Sequence, residues 1–82
     1  MKIEQIENVI YNSLTMSQYH ENRCFTLETI NERKTKLNLN VTRYGLIPQV
    51  AIKKMFQDLN NVFEMSEINV NFPDKNIMEF SI

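Results

Sequence analysis

Apolar residues along the chain recur first every three to four positions and then every second one. Ile3, Ile6, Ile10 and Leu14, with Val9 beside them, fall on a single stripe, the spacing of a helix with one buried face. A helix is predicted over residues 2–16, with Glu4 and Glu7 in its first turn, where carboxylates suit the positive end of the helix dipole. The period drops to two in the segment 24–30, where Phe25 and Leu27 alternate with Thr26 and Glu28. It stays at two in the segment 36–42, where Leu37, Leu39 and Val41 face one way and Asn38, Asn40 and Thr42 the other. Strict alternation marks strands with one dry and one wet face. The polar stretch 31–35 reads as the turn of a hairpin, with Arg33 and Lys34 at its tip and Lys36 just beyond.

Tyr44 and Gly45 end the second strand, and Pro48 stands where a first-turn proline belongs. Ile52, Met55, Phe56, Leu59, Val62 and Phe63 then return to helical spacing, and Lys53, Lys54, Gln57, Asp58, Asn60 and Asn61 occupy the opposite side. A second helix is predicted from Pro48 to Phe63 or Glu64, with Glu64 and Glu67 bracketing its end. Ile68, Val70 and Phe72 alternate with Asn69 and Asn71, and Met78, Phe80 and Ile82 alternate with Glu79 and Ser81. Between them the tetrad Pro73-Asp74-Lys75-Asn76 carries residues suited to tight turns.

The order is therefore α-β-β-α-β-β within one α+β domain spanning residues 1–82. Two helices with one apolar stripe each and four strands with one apolar face each fit a two-layer sandwich. A four-stranded antiparallel sheet covers one face with both helices and leaves the other to solvent. Moving the first strand of a ferredoxin-like β-α-β-β-α-β unit to its end produces this order. The expected topology is thus a circularly permuted ferredoxin-like sheet with the last strand in a central position; a meander of two hairpins side by side is the alternative. Phe25, Phe72 and Phe80 are expected to point inward. The wet face is expected to carry Thr26, Glu28, Asn38, Asn40, Thr42, Asn69, Asn71, Glu79 and Ser81, with Tyr44 the one aromatic able to join it.

Composition narrows the chemistry. With 82 residues, one Gly, one Cys and a net charge of −1, the chain is long enough for one domain and fits neither a disulfide framework nor a collagen-like or low-complexity class. No apolar run reaches the roughly 18 residues of a membrane span, and the N-terminal residues lack the basic-then-apolar layout of a signal peptide. A cytoplasmic protein is expected. Phe, Tyr, Met, Ile, Asn and Lys fill almost half of the chain, and Gly, Ala, Arg and Pro less than a tenth. That bias points to an AT-rich gene of the kind frequent in low-GC bacteria, their phages and plasmids, and some viruses; for a phage gene the location is the host cytoplasm.

No catalytic set stands out. His20 and Cys24 are four residues apart with Glu21 beside His20, but a structural zinc needs four ligands, and a Cys–His nucleophile needs an orienting third group and an oxyanion site. A lone Gly45 cannot form a phosphate-binding glycine loop. The expectation is a non-enzymatic protein-binding module with no cofactor and no metal, an inhibitor or adaptor of a host protein carried by a phage or plasmid. Its candidate surface comprises Asn38, Asn40, Asn69 and Asn71 with Arg33, Lys34 and Lys36. The alternative is a small nucleic-acid-binding regulator contacting phosphates through Arg33, Lys34, Lys36, Lys53 and Lys54. Association with a second copy through the sheet edges or the polar face is a third reading.

Overall fold

The computed structural model describes residues 1–43 and 45–82; the expectation placed on Tyr44 lies outside them. Its elements are α1 (Ile3–Met16), β1 (Phe25–Asn31), β2 (Lys34–Leu39), α2 (Gln49–Val62), a 3-10 turn at Met65–Glu67, β3 (Asn69–Asp74) and β4 (Ile77–Ser81). The sheet runs β1-β2-β4-β3, with every neighbouring pair antiparallel. This is the order of the permuted ferredoxin-like sheet, with the last strand between β2 and β3; a meander would have left β4 at an edge.

One face of the sheet meets the helices. Ile3, Ile6, Ile10 and Leu14 of α1 and Ala51, Met55 and Leu59 of α2 close over Phe25, Leu37, Met78 and Phe80. The Phe56 and Phe80 rings lie 6.0 Å apart between α2 and β4, and Tyr11 meets Phe25 edge-on at 6.4 Å between α1 and β1. The α2 stripe is turned slightly from its expected position, since Ala51 is buried and Val62 exposed. Pro48 is the N-cap of α2 and not its first turn, accepting from the Ala51 and Ile52 N–H groups at 3.0 and 3.3 Å.

The start of α1 is closed by the Lys2 N–H donating to Gln5 Oε1 (2.8 Å). Its other end is a Schellman turn. The Gln18 N–H donates to Thr15 O and the Tyr19 N–H to Leu14 O, both at 2.9 Å, and the Tyr19 ring packs against the core. This geometry puts Gln18 at φ 71°, the left-handed region where a glycine is usual because a Cβ is disfavoured.

Four expectations are corrected. Thr35 was placed in the hairpin turn, but the turn is only Glu32-Arg33 and Thr35 belongs to β2, 0% exposed. Glu7 lies beyond the first turn of α1 and faces the sheet, where one carboxylate oxygen, Oε2, accepts from Thr35 Oγ1 (2.8 Å) and Thr29 Oγ1 (2.6 Å). β2 ends at Leu39, so Val41 is 71% exposed, and Thr42 pairs with Gly45 in an isolated bridge outside the strands. The chain leaves the sheet there as the Asn40 N–H donates to Cys24 O (2.9 Å). Phe72 is 62% exposed, because the β3–β4 register slips between Asn71 and Asp74 and places an extra residue on β3 where Phe72 would otherwise alternate inward.

Two outcomes follow. Gln18→Gly relieves the left-handed penalty and raises stability by about 1 kcal/mol, a Tm increase of about 4–8 °C for a domain of this size, readable by calorimetry. In a double-mutant cycle of Glu7→Ala and Thr35→Val, chemical denaturation gives a coupling energy of about 1–2 kcal/mol, the scale of a hydrogen bond to a charged acceptor; additivity of the two changes would show that the contact holds nothing.

Candidate binding surface

The sheet face turned away from the helices follows from strand parity. Thr35, Leu37, Met78, Phe80 and Val70 point to the helices, so their neighbours point out. Register then sets rows across the sheet. Glu28 lies opposite Lys36, Lys36 opposite Glu79, and Glu79 opposite Asn71, one row over all four strands. A second row runs from Thr26 to Asn38 to Ile77, and Ser81 stands between Lys34 and Asn69.

Charges on these rows neutralise one another. Lys36 Nζ lies 3.4 Å from Glu28 Oε2, and Lys34 Nζ lies 3.3 Å from Glu79 Oε2. Glu79 also accepts from Asn71 Nδ2 at 3.3 Å through its other oxygen. The result is a mixed-sign, hydrogen-bonded lattice with a net charge near zero.

Asn38, Asn69, Asn71, Lys34 and Lys36 are therefore brought together on one face. Asn40 is not among the strand residues, since β2 stops before it. Arg33 sits in the β1–β2 turn, where its Nε donates to Ile82 O (2.7 Å) and its carbonyl accepts from the Ile82 N–H (2.9 Å). Lys53 and Lys54 are on α2, in the other layer, and Lys54 Nζ pairs with Asp58 Oδ2 at 2.9 Å. The five cations considered for phosphate contacts thus fall on two sides of the molecule. Sequence reading missed the Lys34–Glu79 pair and the outward Ile77, because it took Lys34 for turn and began the last strand one residue late.

Asp58 of α2 and Ser13 of α1 line the same hollow between the helices. The Asp58 carboxyl is held below the usual carboxylate range, first by the Ser13 hydroxyl and then by the Lys54 ammonium. The Ser13 contact is looser than an ordinary hydrogen bond, as buried Ser13 Oγ has no partner within that geometry. Among the described residues no group of three His, Cys, Asp or Glu side chains could hold a metal ion, and no helix is long and apolar enough to cross a membrane.

Comparison with protein-family models, with curated proteins and with solved structures returns no match to this chain.

The two outward carboxylates differ in what they hold. Glu79, 19% exposed, serves two partners, while Glu28, 59% exposed, serves one. Glu79→Ala is expected to cost about 1 kcal/mol and Glu28→Ala under about 0.5 kcal/mol by urea denaturation, since exposed pairs contribute little.

Proposed function

We propose that the chain is a small non-enzymatic protein-binding module that presents its open sheet face to a protein partner. The observation that carries this reading is the uncovered row Glu28–Lys36–Glu79–Asn71 with Asn38 and Asn69 beside it. A flat surface of paired charges and amide groups offers donors and acceptors of both signs, the complement of another mixed polar protein surface. It is a poor match for a polyanion, which is drawn to unpaired cations. Lys34, Lys36 and Lys54 each already face a carboxylate.

The coding bias supports a host-directed role, as inhibitor or adaptor, for a module carried on a mobile element. The test is affinity capture from lysate of the source cell, with the wild-type chain and Asn38→Ala/Asn69→Ala/Asn71→Ala run side by side. The same partner retained by wild type and reduced at least tenfold on the triple variant, with unchanged circular dichroism, supports the reading. Equal capture by both, or salt-sensitive recovery of nucleic acid alone, overturns it.

A further inference from the structure

We propose that the outer face of the helix layer pairs with the same face of a second copy of this chain, the two layers stacked in reversed directions. A furrow runs between α1 and α2 on that face. Val9, Met16 and Val62 line one hollow along it, Val50 lines the next, and Lys54, Asp58 and Asn61 line both. No strand residue is among the described residues lining either hollow, so the furrow opens away from the sheet. Met16, Val50 and Val62 are 78%, 73% and 61% exposed, although the opposite sides of their helices are packed into the core. Apolar side chains exposed singly need no explanation, but several gathered along one furrow mark an interaction site.

Charge selects the occupant. The two helices run antiparallel, since Ser17 and Tyr19, just past α1, share a hollow with Val50 at the start of α2, while Glu4 at the start of α1 shares one with Glu67 beyond the end of α2. One end of the layer therefore carries Glu4, Glu64 and Glu67, and the other carries Lys53 and Lys54. Lys54 is paired with Asp58, whereas Lys53 and the three glutamates form no ion pair among the described residues. A face with opposite charges at its two ends is the complement of a reversed copy of itself. A two-fold axis crossing the helices near Ser13 and Asp58 lays Met16 of one copy over Val9 of the other. It also brings Lys53 within a turn of Glu64 of the second copy, and symmetry makes each contact twice. Stacking with the layers in the same direction instead sets the glutamates of the two copies against each other.

Size sets the strength. Each helix has 14 residues. At ~1.5 Å per residue and ~10 Å across, two such helices side by side present about 400 Å² per copy. The total of about 800 Å² is well below the roughly 1,600 Å² of a standard interface, which makes the dimer weak and reversible. Asn12 and Asn61 stand beside the apolar contacts in the furrow, where amides can pair across the axis. The open sheet faces then point away from each other on opposite sides of the dimer, and the pairing does not depend on what they bind.

The test is sedimentation velocity of the full chain from micromolar concentration to about 1 mM, the range in which a weak pair forms. The mass is expected to rise from 9.8 kDa toward twice that value. Met16→Glu/Val62→Glu should weaken association at least tenfold, and Val41→Glu, at a comparably exposed valine off the helix layer, should leave it unchanged. Should the glutamate variant unfold, Met16→Gln/Val62→Thr with unchanged circular dichroism must still weaken association several-fold. Lys53→Glu should weaken it several-fold as well, and Lys53→Glu/Glu64→Lys should restore it, as reversed stacking requires. A mass that stays at the monomer value throughout overturns the proposal, as do unaltered association in the Met16/Val62 variants, loss through Val41→Glu, or no recovery on the charge swap. Association abolished by Phe72→Glu instead overturns it by placing the contact at the sheet edge. So does a lysate protein captured by a strictly monomeric chain and lost with Met16→Glu/Val62→Glu, which would mark a foreign partner in the furrow.

Discussion

The pairing of β2 with β4 is the constraint on which everything else rests. Each hairpin, β1–β2 and β3–β4, is closed by its own short turn, but two isolated hairpins have no shared interior. The register that sets Lys34 against Ser81, Lys36 against Glu79 and Asn38 against Ile77 joins them. Only then do Leu37 and Phe80 become central residues, 0% exposed, under both helices. Two-stranded hairpins are marginal in water, whereas four strands with one apolar face support a helix layer. Since the last strand in the sequence is the central one, the core closes only when the far end of the chain has been inserted.

The same register decides the polar chemistry on both faces. Shifting β2 by one residue would exchange Thr35 and Leu37 for Lys34 and Lys36 on the helix side. The cations would then be buried and the apolar side chains wet, so the hydrophobic pattern holds the register strongly. Thr35 is the one polar residue of β2 on the dry side, and it is accommodated because α1 brings Glu7 within 2.8 Å. A buried hydroxyl without a partner would cost about 1–3 kcal/mol. With Glu7 present, that hydroxyl becomes a fixed tie between α1 and the first hairpin. Thr29, on the neighbouring strand, donates to the same oxygen.

Periodicity made much of this readable. Ile3 to Leu14 and Ile52 to Phe63 give helices whose ends fall within a residue or two of their predicted positions, since each stripe stops where polar residues or Pro48 interrupt it. The strand order matched the one expected from the element order by permuting a ferredoxin-like unit. What periodicity could not show was where alternation ceases to have structural meaning. Leu37, Leu39 and Val41 alternate evenly, yet Val41 has no sheet beneath it because Leu39 and Asn40 donate their N–H groups to Asn76 and Cys24 and the chain turns away. Phe72 fails for the related reason that a bulge breaks parity on β3. Thr35 and Lys34 look like turn residues because their polarity is all a sequence displays, and Glu7 is needed to explain why one of them is buried. On the candidate surface, Asn38, Asn69 and Asn71 kept their predicted face because they lie between paired residues. Asn40 lost it by lying one residue past the strand end.

Net charge concealed an arrangement that only the fold creates. A total of −1 describes a molecule whose open sheet face is close to neutral, because Lys34 and Lys36 stand beside Glu79 and Glu28. Arg23 and Arg43 are elsewhere, and their meeting follows from antiparallel geometry. The β1–β2 register sets Phe25 against Leu39, so residues just before β1 lie beside residues just after β2. A hairpin thus turns a sequence separation of 20 residues into shared walls of one groove, while its own turn carries Arg33 to the other end of the sheet. Strand pairing therefore sorts the arginines into separate environments as surely as it sorts apolar from polar, and composition, which only sums them, cannot register the difference.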